Sequence, residues 1–193
     1  MIRPAQASDV PALYDLMVII WQDMEFEPFV TLDSQTFKEA MIQHLLDTKQ
    51  KYNYQNCWVY QARHTGHIQG LVLGYPGNLE STYDRLIEQH FGDHTELGDF
   101  SLTRESRDDE WYIDMLVVAP QARGFGIASS LIKHLETIHK PGTVLGLNCD
   151  LVNPRAKALY RRLGFEVRDL VTFSGHDYHH MQKIVSPRRM YEL

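Results

Sequence analysis

Cysteine is scarce in this 193-residue chain: only Cys57 and Cys149 are present, far apart in sequence and with apolar neighbours. That excludes a disulfide framework and suits a reducing cytoplasm, the expected location. No run of about 18 apolar residues occurs, so no transmembrane helix and no membrane partner are expected. The opening M-I-R-P-A-Q-A-S-D lacks the apolar core of a signal peptide. No stripe of Lys and Arg with interleaved aromatics appears, which argues against nucleic acid as a partner. Internal repeats and low-complexity segments are also missing. A hydrophobic content of 44% and a charged content of 23% are ordinary for a globular protein, and the length suits one domain with a substantial core.

The net charge of -6 is mild but unevenly spread. Residues 80–110 hold ten acids against three arginines, whereas residues 120–193 hold eleven Lys and Arg against six acids. An acidic segment beside a basic half fits a protein that meets an anionic cofactor and a cationic substrate. The same segment also reads as a solvated acidic surface loop, the commoner fate of a charge run.

In chain order, Ile2-Arg3-Pro4 ends a short strand. Ser8-Asp9 with Pro11 opens a helix through Ile20, its buried stripe supplied by Val10, Leu13, Leu16 or Met17, and Ile20. Residues 23–33 read as a loop or helix end, and a second helix is expected over 34–49 from Phe37, Met41, Leu45 and Leu46. Cys57–Ala62 and Ile68–Tyr75 make a hairpin around His64-Thr65-Gly66, stopped by Pro76-Gly77-Asn78. Residues 80–91 read as an amphipathic helix and Gly92–Asp109 as a long loop, functional or mobile. After a strand over 143–149, Asn153-Pro154 starts a helix with Ala156, Leu159, Tyr160 and Leu163 on one face, and Gly164 caps it. Strands at Phe165–Phe173 and Tyr178–Val185 flank a turn at 174–177, and 186–193 is a tail. The expected fold is α/β: a mixed sheet with helices on its faces, in one domain over 1–185 with an acidic insertion at about 76–110.

Residues Glu110 to Ser130 hold the stretch that carries chemistry. Trp111–Val118 has a strand's length and residue types, Pro120 ends it, and Ile127, Leu131, Leu135 and Ile138 recur at helical spacing. Between them lies Arg123-Gly124-Phe125-Gly126. Strand, glycine turn and helix start in succession make an anion site. Glycines let backbone N–H groups approach closely, and the first helical turn leaves its own N–H groups unpaired at the positive dipole end. Arg123 adds a full charge, so a phosphate or pyrophosphate is the natural guest. A dinucleotide fold fits poorly, since only Gly124-x-Gly126 of its longer glycine pattern is present.

Gln121-Ala-Arg-Gly-Phe-Gly126, extended by Ile127-Ala128, matches the Gln/Arg-x-x-Gly-x-Gly/Ala loop of the GNAT N-acetyltransferases. Asn153-Pro-Arg-Ala156-Lys-Ala-Leu159-Tyr160-Arg-Arg-Leu-Gly164-Phe165 matches that family's later N-x-x-A-x-x-L-Y-x-x-x-G-F signature. With both present, the chain resembles a GNAT-family, acetyl-CoA-dependent N-acetyltransferase over nearly its whole length. The insertion at 76–110 is the departure, longer than the usual connection, and it leaves substrate identity open.

The resemblance implies a GNAT fold with a mostly antiparallel sheet, and acetyl-CoA as co-substrate. It implies direct acetyl transfer to a primary amine of a small molecule or peptide. Backbone groups around Leu116, Val117 and Val118 would polarise the thioester carbonyl, and the amides of residues 123–128 (Arg123, Gly124, Phe125, Gly126, Ile127 and Ala128) would hold the pyrophosphate. Tyr160 stands at the family's proton-donor position, although its helical spacing also suits a core tyrosine. Asp114, which would share a strand face with Tyr112 and Leu116, is the first candidate base, and Glu110 the second. Either could instead be structural or surface-bound. Asn153 would touch the pantetheine arm or cap its helix, and Asn148 would contact coenzyme or acceptor. Cys149 reads as a buried hydrophobe rather than a nucleophile. His179 and His180 point to opposite faces of their strand, so no metal is expected. The acidic insert favours a cationic acceptor. A catalytically silent acyl-CoA-binding module of the same fold is the alternative, and family habit leaves a homodimer open.

Overall fold

The β-branched and aromatic runs form seven strands in the computed structural model, which describes residues 1–92, 97, 100–173 and 175–187. They are β1 (Ile2–Pro4), β2 (Cys57–Gln61), β3 (Ile68–Pro76), β4 (Trp111–Val118), β5 (Val144–Asp150), β6 (Glu166–Phe173) and β7 (His176–Ile184). The helices are α1 (Val10–Asp23), α2 (Glu27–Thr31), α3 (Ser34–Leu46), α4 (Glu80–Phe91), α5 (Ile127–Ile138) and α6 (Pro154–Arg162). Of the expected loop, turn and tail, residues 93–96, 98–99, 174 and 188–193 lie outside the described residues.

The strand order is β1-β2-β3-β4-β5-β7-β6. Every neighbouring pair is antiparallel except β4 and β5, which run parallel. Helix α1 packs on β3 and β4 with α3 against it, α5 lies on β2, β3 and β4, and α6 rests on β5. Trp21 of α1 and Phe37 of α3 meet edge to face with ring centroids 5.4 Å apart, and Tyr52 meets Trp21 at 5.9 Å. Burying a ring of this size stabilises the fold by about 1.5–3 kcal/mol, so this cluster is a main anchor of the α1–α3 layer. No helix among the described residues is long and apolar enough to cross a membrane.

Two expectations shift. The segment read as a loop contains α2, with Pro28 in its first turn, where the missing N–H costs nothing. Helix α3 starts where expected, because the Asp33 side chain accepts from the Gln35 and Thr36 N–H groups, but it ends at Leu46 rather than 49. The larger correction concerns β4. The register against β3 slips between Leu73 and Gly74, which pair with Met115 and Ile113, so Asp114 is the extra residue of a bulge. Strict alternation of Tyr112, Asp114 and Leu116 on one face therefore does not hold. Tyr112 and Ile113 are buried in succession, and the bulge re-aims the Asp114 carboxylate.

Candidate active site

Strand β4 pairs with β5 only at Trp111–Leu145 and Tyr112–Gly146. Beyond those residues the two strands part. Leu116, Val117 and Val118 remain paired to β3 through Val72, Leu71 and Gly70. Antiparallel pairing uses alternate backbone groups on each side. The groups of β4 that a continuous β5 would have engaged therefore face the gap. Past Val118, a short turn at Pro120–Ala122 leads to Gly124 and Gly126, with φ of +89° and +77°. Only glycine takes this left-handed backbone without strain. A Cβ on either would meet nothing within 4 Å, so the space above the loop is open. Gly126 caps α5, whose first turn presents its unpaired N–H groups at the same place. Buried Ile127, Leu131, Ile132 and Leu135 hold that helix down, while Phe125 stands 81% exposed beside the loop and Arg123 Nε donates to the Val118 carbonyl at 3.2 Å.

The bulge side of β4 borders a cavity of about 350 Å³. Trp21, Phe26, Tyr52 and Phe100 give it aromatic walls, and Glu105 and Asp114 give it carboxylates. Glu25 and Glu27, both exposed, stand on its outer side. Glu25 is the one non-glycine residue at positive φ (49°) among the described residues, a strained conformation of the kind that collects at functional sites. A roomier hollow of about 610 Å³ runs along α3, but residues of that helix line it and none from these strands do.

The carboxylates of the cavity belong to a buried charge cluster. Lys51, which the sequence did not single out, is 2% exposed, and its Nζ lies 3.2 Å from Asp84, 3.3 Å from Asp114 and 3.6 Å from Glu80. Asp114 also accepts from the Tyr75 hydroxyl at 2.7 Å. Burial pushes the Asp84 carboxyl up to about 6 against the pull of Lys51. Glu105 is pushed up to about 7, first by burial, with Asp114 and Glu80 adding to the rise and Lys51 and the Tyr112 hydroxyl opposing it. Glu105 is held by contacts from its own neighbourhood in the chain. Glu80, in the first turn of α4, accepts from the Glu105 N–H at 3.2 Å and the Ser106 N–H at 2.7 Å, and Glu88 accepts from the Leu102 N–H at 2.8 Å.

Glu110 sits elsewhere. Its carboxylate is fully enclosed, accepting from the Arg107 N–H at 3.0 Å, His180 Nε2 at 3.0 Å and Gln182 Nε2 at 2.8 Å. Burial raises its pKa, but these bonds outweigh that and hold it below the usual carboxylate value. A Cβ on Gly146 would come within 1.8 Å of Glu110 Oε2, so β5 needs glycine there to admit the carboxylate. The expected split of the adjacent histidines is seen: His180 is buried against Glu110 and Asn148, whereas His179 meets Lys157 of α6. Asn148 reaches the Glu105 carbonyl and the Tyr112 hydroxyl, each at 3.1 Å.

Tyr160, on α6, makes no side-chain hydrogen bond among the described residues, and burial pushes its phenol above the ordinary value, so it keeps its proton at neutral pH. Asn153 caps α6 by accepting from the Ala156 N–H at 3.0 Å. Cys149 is buried, and its thiol is pushed up to about 11, which disfavours thiolate chemistry. The sequence reading passed over Lys51, Tyr75 and Glu105, and it placed Tyr112 and His180 on their strands without giving either a role at the site. Glu105 looked like any other acid of its run, and the acidity of residues 80–110 was the only signal pointing near it.

A splayed parallel strand pair, a left-handed glycine loop at a helix start and an adjoining acid-lined cavity define the acyl-CoA N-acyltransferase class of fold. The chain belongs to the acetyltransferase (GNAT) family, whose model matches residues 13–165. An N-acetyltransferase from Staphylococcus aureus Mu50 is similar at 28% identity over 95% of this chain and 100% of its own, with a TM-score of 0.86. A second solved acetyltransferase shares 32% identity over 96% of this chain and 100% of its own, with a TM-score of 0.80. The NatB acetyltransferase complex bound to CoA and MES shares the fold, at 20% identity and a TM-score of 0.54 over 96% of this chain and 99% of its own. No curated protein matches the sequence.

Proposed function

We propose that the protein transfers an acetyl group from acetyl-CoA to a primary amine of a small cationic molecule. One observation carries this: β4, which parts from β5 on its way to the glycine loop, also lines at Asp114 and Met115 a cavity whose inner polar groups include two carboxylates. The residues present fit the coenzyme. Open space lies over Gly124 and Gly126, unpaired amides gather at the start of α5, and Arg123 adds charge at the same end. Acetyl-CoA, when bound, supplies an activated acyl group; the remaining roles fall to the chain.

In this reading the amides of residues 123–128 bind the pyrophosphate, and backbone groups of Leu116–Val118 orient and polarise the acyl carbonyl. Asn153 is assigned to the pantetheine arm through its side-chain amide N–H groups, since its side-chain oxygen already caps α6. Tyr160 gives its proton to the departing sulfur; burial keeps the phenol protonated at neutral pH until the thiolate develops. The amine arrives as an ammonium ion and must lose a proton before it attacks. Glu105 is the group we assign as base, because it lines the cavity and takes up a proton near pH 7, where a base works best. Asp114 remains in the site as the carboxylate that raises Glu105 and attracts the cation, while Glu110 acts behind it. A cavity of about 350 Å³ at the lower end of the ligand-pocket range suits a compact amine, and its acids and aromatic faces favour a cation.

The test is the pH profile of kcat/KM. A rise through about pH 7 should be seen in the parent and should vanish with a large loss of rate in Glu105→Gln. An unaltered profile in that variant overturns the assignment and returns the base to Asp114 or Glu110, which the matching Asn and Gln variants identify.

A further inference from the structure

The hydrogen bonds behind Glu105 run in one direction. Asn148 Nδ2 faces the Glu105 backbone carbonyl at 3.1 Å, and a carbonyl can only accept, so the amide orientation is fixed. Asn148 Oδ1 therefore faces His180 Nδ1, at 2.8 Å, and must accept from it. On the far side of the ring, Nε2 meets the Glu110 carboxylate at 3.0 Å. That carboxylate is held ionised by its surroundings and also accepts. A hydrogen on each ring nitrogen satisfies both contacts. At the other end, Asn148 Nδ2 donates to the Tyr112 hydroxyl at 3.1 Å, which leaves the hydroxyl hydrogen one acceptor, Glu105 Oε2 at 2.8 Å.

We propose that His180 and Asn148 are positioning residues that aim the Tyr112 hydroxyl hydrogen at the Glu105 carboxylate and so order that carboxylate for the acceptor amine. The inference rests on Glu105 as the base. The line crosses three strands, from β7 through β5 to β4, and ends on the insert. It therefore ties the insert's carboxylate to the strands that part around the coenzyme site. Both ends are locked by shape and charge. Gly146 leaves room for Glu110, and Gln182 donates to the same oxygen as His180. Tyr112 is wholly buried, with its ring 5.9 Å from that of Tyr75. The charged groups facing Glu105 include Lys51, Asp114 and Glu80, and the titratable hydroxyls of Tyr112, Tyr52, Tyr75 and Tyr178 also interact with it; Lys51 and Tyr112 favour its ionised form. Loss of the directed hydroxyl must raise the pH at which Glu105 takes up a proton, by about one unit for a bond to a charged group.

A carbon-13 NMR titration of the Glu105 carboxyl, assigned with Glu105→Gln, tests this without any substrate. Tyr112→Phe and His180→Gln should each move the midpoint upward by about one unit. Gln182→Met, which touches Glu110 outside the line, should leave it in place. Unmoved midpoints in both line variants overturn the proposal, as does an equal shift in Gln182→Met. If His180→Gln does not fold, nitrogen-15 NMR of the unaltered protein decides. A hydrogen on His180 Nδ1 supports the line, and an Nδ1 without one overturns it. Should Glu105→Gln keep full turnover while these shifts appear, the base assignment fails and the hydrogen-bond line stands.

Discussion

Replacing Lys51 with methionine keeps an unbranched side chain of similar length and removes the one buried cation that three carboxylates share. Nζ lies within 3.2–3.6 Å of Asp84, Asp114 and Glu80, and the Lys51 side chain is 3% exposed. Of these three carboxylates Arg104 reaches Glu80 alone, at 3.9 Å and from a solvent-exposed position. Removing one partner of a buried ion pair costs about 3–5 kcal/mol, because the other charge stays in a poorly solvated site. With three carboxylates stranded, the upper part of that range is expected near pH 8. The cost must also depend on pH, and its sign follows from the carboxylates. Burial pushes the Asp84 and Glu105 carboxyls up to about 6 and about 7, above the ordinary carboxylate range, and Lys51 pulls both down. A carboxyl whose folded pKa is raised stabilises the fold at low pH and loses that contribution as pH rises through the folded value. Without Lys51 both rise further, so protonation relieves more of the strain at low pH. Urea unfolding of parent and variant at pH 8 and pH 5 measures this directly. The deficit should be several kcal/mol at pH 8 and clearly smaller at pH 5. A deficit under about 1 kcal/mol at pH 8, or one equal at both values, would refute the reasoning.

Gly146→Ala would place a Cβ 1.8 Å from Glu110 Oε2 and 2.2 Å from its carboxyl carbon. The carboxylate must then leave His180, and urea unfolding should show a loss of about 3–5 kcal/mol; a change within the error of the parent contradicts the packing. Gly126→Ala puts its Cβ in open space but strains a backbone at φ +77° by about 1–2 kcal/mol. Calorimetry should find the protein folded and its CoA affinity lowered about tenfold, whereas unchanged affinity would remove the loop from the binding site. Tyr160→Phe should cut kcat by about 100-fold while leaving the Kd for acetyl-CoA within about twofold. Equal kinetics would sink the proton-donor role.

What the sequence made legible was local. The motif strand, the glycine turn and α5 follow one another within about twenty residues, and their residue types alone announce an anion site. Helix α6 was readable between Asn153, which caps it, and Gly164, whose φ of +88° is the left-handed stop expected of a terminal glycine. Helix α2 escaped because five residues carry too little periodicity, and Pro28 reads as a breaker until its first-turn position is known. The bulge at Asp114 escaped because an inserted residue leaves no mark on strand composition. Glu105 and Lys51 were hidden for a different reason. Each is a single polar residue whose partners lie far off in sequence, as with Lys51 and Asp114, and only the fold brings such groups together. The acidity of residues 80–110 pointed to the right region without saying which acids are solvated and which are buried.

Thiol release from acetyl-CoA, followed across small primary amines of matched size that are cationic, neutral or acidic, tests the central claim most directly. Acetyl-CoA should bind, and cationic amines should drive thiol release well above neutral and acidic ones, with acetylated amine as the product. Tight binding with no release for any amine would mark a silent acyl-CoA-binding module. Failure to bind acetyl-CoA at all would contradict the account at its root.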